Sequence, residues 1–131
     1  MRIKDFYPNY QFLATQMPHL KEIFRGVRNR FYLDQQTKEI YREANYAELS
    51  VFYRYTIAQE NGSWLLITAE SNSITGARPH YHVSPAGNSR EEARDILIEK
   101  LCKQWRDEHK IARIDWKGST DLERALRDNI P

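Results

Sequence analysis

The chain has 131 residues, 40% of them hydrophobic and 29% charged, which is the length of one domain and the balance of a folded rather than a disordered chain. A net charge of +2 is too small to imply a nucleic-acid partner by itself, and no stretch reaches the roughly 20 apolar residues that cross a bilayer. The single cysteine, Cys102, excludes an internal disulfide and reads as an apolar filler on a helix.

The first predicted element is a helix from about Pro18 to Arg30, because Leu20, Ile23, Phe24, Val27 and Phe31 recur at the spacing of one buried helical stripe. On that helix Lys21, Arg25 and Arg28 share a face at i, i+4, i+7, with Arg30 in the last turn. A β-hairpin follows. Glu48–Gln59 and Trp64–Glu70 are its strands, and a three-residue Glu60-Asn61-Gly62 loop with Gly62 at positive φ pairs Ile57 with Leu65. That register collects Val51, Tyr53, Tyr55, Ile57, Leu65 and Ile67 on one face and leaves Phe52, Arg54, Trp64 and Thr68 on the other. A third strand, Pro79–Ser84, turns Tyr81 and Val83 toward the core and His80 and His82 to the opposite side. Ser89 and Glu92 form a capping box for a helix that runs to about His109, with Ala93, Leu97, Leu101 and Trp105 inside. Residues 111–116 read as a fourth strand. Thr120 and Glu123 make a second capping box, for a short last helix carrying Leu122 and Leu126. The expected fold is therefore a small α+β domain over 1–131, an antiparallel sheet of three to four strands with helices packed on it, in the order α-β-β-β-α-(β)-α.

Charge is unevenly spread. Residues 1–31 carry six basic and two acidic side chains, and residues 32–60 carry three and five. The N-terminal excess steers anionic partners. Rings and cations interleave at Arg30-Phe31-Tyr32, Tyr41-Arg42 and Phe52-Tyr53-Arg54-Tyr55. A face holding Phe52, Arg54, Trp64, His80 and His82 suits base stacking and phosphate contact.

His80-Tyr81-His82 points two imidazoles the same way and is similar to the metal motif of HUH nucleases. That resemblance covers three residues and implies a tyrosine nucleophile. No tyrosine follows Tyr81, although Tyr7 and Tyr10 stand where relaxase-type members place theirs. Ser89-Arg90-Glu91-Glu92-Ala93-Arg94 resembles the second-helix start of double-stranded-RNA-binding domains and the helix opening of HicB-type antitoxins, and the capping box explains most of either match. Glu92 and Asp115 occupy places where an RNase H-like fold keeps acids, but the first strand offers no aspartate to anchor two metals.

The sequence leads to a small, non-enzymatic, cytoplasmic protein that binds nucleic acid or a nucleoprotein through Lys21, Arg25, Arg28, Arg30, Phe52, Arg54, Trp64, His80 and His82. No cofactor, metal or membrane is implied, and a homodimer remains open. One alternative is a protein–protein module such as an antitoxin, an immunity protein or an inhibitor of a larger complex. A second is a metal-dependent nuclease using His80 and His82.

Overall fold

The computed structural model describes residues 19–26, 29–45, 49–72, 80–110 and 117–131. Among them are six strands, β1 (Leu20–Gly26), β2 (Asn29–Asp34), β3 (Ile40–Asn45), β4 (Ser50–Glu60), β5 (Ser63–Asn72) and β6 (His80–Pro85), followed by two helices, α1 (Arg90–Lys110) and α2 (Lys117–Asn129). The strands form one antiparallel sheet in chain order, each beside its sequence neighbour. The three-to-four-strand sheet with a leading helix is thereby corrected: the sheet has six strands, and both described helices come after it. The expected strand over 111–116 lies outside the described residues.

The expected first helix is instead the hairpin of β1 and β2. The reason is a β-bulge. Glu22 pairs with Tyr32 and Phe24 with Phe31, so Ile23 is an extra residue in β1. An extra residue turns the period of two into a local spacing of three. Lys21 and Phe24 therefore share one face, and Glu22 and Arg25 the other, which imitates helical periodicity. The Glu22–Arg25 contact of 2.9 Å looks like an i, i+3 helix pair and is a product of the bulge.

The β2–β3 connection is fixed by Asp34. Its carboxylate accepts the N–H of Gln36 (2.9 Å) and of Thr37 (3.1 Å), while Lys38 donates its N–H to the Asp34 carbonyl at 2.8 Å. Such self-bonding is why aspartate favours turns. At the β4–β5 turn, Asn61 and Gly62 both have positive φ, 52° and 81°. That is the signature of a two-residue Asn-Gly turn, whose twist matches the flanking strands. Glu60 then stands opposite Ser63, one residue away from the pairing expected of a three-residue loop. A one-residue slip exchanges the two faces of a strand, so β5 presents the opposite set of side chains to the expected one.

The chain divides into two compact units. One comprises residues 1–56 and 67–83, the other 57–66 and 84–131. In the first, Phe31, Leu33, Ile40, Ala44, Val51 and Tyr55 are buried, and so are Tyr32, Glu43 and Phe52 on the other side of the same strands. In the second, α1 buries Ala93, Leu97, Ile98, Leu101, Cys102 and Trp105, and α2 buries Leu122 and Leu126. Each such leucine contributes about 1.5–3 kcal/mol. The Cys102 thiol is pushed up to about 11, first by burial, which leaves it inert.

Between β5 and α1, Trp64 donates its N–H to the Gly87 carbonyl (2.9 Å) and accepts the N–H of Ala86 (2.8 Å). Two residues thus face one, another bulge pattern. Gly87 has φ +85°. Ser89 Oγ accepts the Glu92 N–H at 3.1 Å, as expected of the cap, but the Glu92 carboxylate reaches Asn88 N–H (3.1 Å) rather than Ser89. In α2, Thr120 lies inside the first turn rather than at the cap. Its C-terminal end is clasped by Arg94 of α1, whose guanidinium donates to the carbonyls of Ile130 (2.8 Å) and Arg127. A cation there satisfies carbonyls that lack helical partners.

Two glycines with positive φ separate backbone strain from crowding. A Cβ on Gly62 meets nothing within 4 Å, whereas one on Gly87 falls 2.2 Å from Glu92 Cδ. Gly62→Ala is expected to lower unfolding free energy by about 1 kcal/mol through backbone strain alone. Gly87→Ala is expected to cost more, because it also displaces the capping carboxylate. Chemical denaturation of both variants checks the order, and equal losses would remove the crowding argument.

Candidate functional site

In the first unit, β3 and β4 pair Tyr41 with Arg54, and this pair is the centre of the candidate surface. Arg54 Nε lies 3.5 Å from Glu39 Oε2, with the Arg54 side chain 43% exposed. Glu39 also accepts a hydrogen bond from the Thr56 hydroxyl. Partial burial works against the Arg54 charge, yet Glu39, Tyr41 and Tyr81 together hold its pKa above the ordinary arginine value. Tyr41 is raised in its turn, first by burial, and the Arg54 hydrogen bond partly offsets this.

Tyr81 of β6 is 59% exposed and Val83 is 60% exposed, the large exposed hydrophobic side chains among the described residues. Both were expected in the core, and that expectation is corrected. With Glu60 opposite Ser63 and Ala86 bonded to Trp64, the ladders set Ala69 beside Arg54 and Tyr81 beside Ala69. Tyr81 therefore stands on the Arg54 face, and alternation puts Val83 there too. His80 and His82 then point to the opposite face, not to the one shared with Arg54 as expected. Both are exposed. Among the described residues no group of three or more histidine, cysteine, aspartate or glutamate side chains is placed to hold a metal.

Of the other predicted residues, Arg25 and Arg30 share the face of Arg54 and Lys21 lies on the other. Lys21 pairs with Leu33 and Arg25 with Arg30; these positions have opposite parity, so the cations of the expected helix face lie on two sides of a strand. Arg28 lies outside the described residues. Arg25 donates to Glu22 from Nε (2.9 Å) and from a terminal nitrogen (3.2 Å), and Arg30 Nε lies 4.0 Å from the same carboxylate. Phe52 is buried at 4% exposure and Trp64 is half-buried in the second unit. The structure keeps Arg54 and replaces its expected aromatic neighbours with Tyr41 and Tyr81. Tyr41 was legible as part of a ring–cation run. Tyr81 was hidden by the one-residue register error.

Sequence reading also passed over a buried acid. Glu43 of β3 is fully buried, opposite Phe52 and Arg30. Burial pushes its pKa up to about 7, and Asn45, Arg30 and Tyr32 only partly offset that. Asn45 Nδ2 donates to Glu43 Oε2 at 3.3 Å. Tyr32 stands beside the carboxyl, yet neither Tyr32 Oη nor Glu43 Oε1 closes a hydrogen bond of ordinary geometry. The Tyr32 hydroxyl is pushed up to about 12, first by burial and then by Glu43. A neutral carboxylic acid supplies both a donor and an acceptor, which suits an acid whose neighbour is a phenol hydroxyl.

On the other face of β3, Arg42 is 2% exposed. It donates from Nε to Asn29 Oδ1 at 2.9 Å, and its guanidinium carbon lies 5.7 Å from the Phe31 ring centre and 5.1 Å from that of Tyr53. Arg42 is part of the core and not of a surface.

No protein-family model, no curated protein and no solved structure matches this chain.

Glu43 makes stability depend on pH. Its value in the folded chain is raised from 4.5 to about 7, so the folded state holds the proton more tightly than the unfolded one. Its contribution is present below the unfolded value and is lost as pH rises to the folded one. Between about pH 4.5 and 7 the chain should lose roughly 3 kcal/mol through this group. In Glu43→Gln that component is expected to vanish, so that the wild-type-minus-variant difference changes with pH. A difference that stays flat across this window in denaturant titrations sinks the assignment.

Proposed function

We propose that this chain is a protein-interaction module whose docking surface is the face of the first unit formed by Tyr41, Arg54 and Tyr81, with Val83 at its border. The observation that carries the reading is the exposure of Tyr81 and Val83 on the face that the strand registers share with Arg54. A large aromatic and a branched aliphatic at about 60% exposure hold apolar area in water that a partner would remove. Tyrosine and arginine are the residues enriched where binding energy concentrates. Arg54 is already held in place by Glu39 and Tyr41, so less rotamer entropy is lost when a partner carboxylate or carbonyl meets it.

The nucleic-acid reading has less support. A phosphate grip needs several cations on one surface turned to the ligand. Arg25, Arg30 and Arg54 share a face, but each lies against a carboxylate, Glu22 for the first two and Glu39 for the third. Lys21 is on the other side of β1. Of the two rings expected to stack bases, Phe52 is buried and Trp64 is half-buried.

The test uses purified chain as bait against extract from its source cells, with direct titration of single- and double-stranded DNA and RNA alongside. A saturable protein partner is expected, with affinity reduced about 30-fold or more by Tyr81→Ala and by Arg54→Ala. Affinity for nucleic acid should be undetectable at low salt. Nucleic-acid binding with a steep salt slope, unaffected by Tyr81→Ala, would falsify this reading.

A further inference from the structure

We propose that His80 and His82 form half of a zinc site completed by the same two histidines of a second copy of this chain, paired edge to edge through β6. The inference stands apart from the docking face, because the two imidazoles point away from Arg54.

Among the described residues β6 is the last strand of the sheet and has one strand neighbour, β5. Every side chain from His80 to Val83 is exposed. Ala86 directs its N–H inward to Trp64. Counting back along the strand, Ser84, His82 and His80 turn their backbone groups toward β5, while Tyr81 and Val83 turn theirs outward. Pro85 also falls on the outward set, where proline belongs on an edge because it has no N–H to leave unpaired. A strand edge without a neighbour is a template for another strand, and the commonest symmetric solution is a twofold dimer.

The histidines choose the register. Antiparallel pairing centred on Tyr81 makes Tyr81 and its copy a hydrogen-bonded pair, using the two outward backbone groups. His80 then stands directly opposite His82 of the second copy, as a non-hydrogen-bonded pair. In such pairs the Cα atoms are about 4.5 Å apart and the side chains are at their closest. Along one strand the two histidines are about 6.7 Å apart on the same face. Four imidazoles therefore converge on one side of the joined sheet. Zinc takes four ligands tetrahedrally, with imidazole nitrogens at about 2.0–2.1 Å. One copy supplies two, and among the described residues no third side chain joins them. The second copy supplies what one chain lacks.

The experiment measures mass in solution, by sedimentation or light scattering, with chelator and then with zinc chloride. Zinc is expected to double the mass at one ion per two chains. His80→Ala and His82→Ala should each abolish the doubling; both side chains are exposed, so circular dichroism should show an unchanged fold. Tyr81→Cys tests the register: its twofold pair, about 5.5 Å apart at Cα, lies within disulfide range and should cross-link only with zinc, while Cys102 stays buried. A mass unchanged by zinc, a zinc dimer that survives the double alanine variant, or a dimer without the Tyr81→Cys cross-link overturns the proposal.

Discussion

Strand β3 is buried on both faces, and the first unit is arranged around that fact. Successive residues of a strand point to opposite sides, so Arg42 and Glu43, neighbours in sequence, are enclosed separately and cannot neutralise each other. Isolated buried charges are costly, and the two are accommodated differently. Arg42 remains a cation, held over the rings of Phe31 and Tyr53 and bonded to Asn29. Glu43 is driven toward its neutral form. Each solution demands particular neighbours, Phe31 on β2 and Tyr53 on β4 directly opposite Arg42. A slip of either ladder by one residue would bring Tyr32 or Phe52 to that side and strand the guanidinium. The buried pair therefore specifies register more sharply than the apolar residues around it.

The same geometry explains what the sequence showed and what it concealed. Helix α1 was legible because its signals are local: Ser89 and Glu92 cap it, and Ala93, Leu97, Leu101 and Trp105 lie on one stripe that is buried. The positive φ of Gly62 was legible for the same reason. β1 was not, since the bulge at Ile23 converts a strand into something with the spacing of a helix. The two strands after it were passed over because they are buried on both faces, and a strand of that kind shows no alternation. Arg42 and Glu43 inside β3 hide it further, being charged residues at interior positions.

The candidate surface was half legible. Arg54 stood out by its position among aromatic residues, and its side chain is 43% exposed. The companions were misassigned, because one residue of turn length decides which side of β5 looks inward. Tyr81 and Val83 have the composition of interior positions and lie outside. Composition cannot distinguish a hydrophobic residue that the chain buries from one that the fold leaves exposed; only the register does.

The order of the strands has a kinetic consequence. Every described strand lies beside its neighbour in sequence, so none of these pairings waits for a distant part of the chain to arrive. Closing a short loop costs little entropy, and a hairpin once formed offers an edge to the next strand. Sheets rich in crossovers fold slowly because distant segments must meet before any pairing compensates the ordering. Here the sheet can grow by one strand at a time from whichever hairpin forms first. The Asn61-Gly62 turn, whose backbone is already suited to the reversal, is the natural place for that growth to begin.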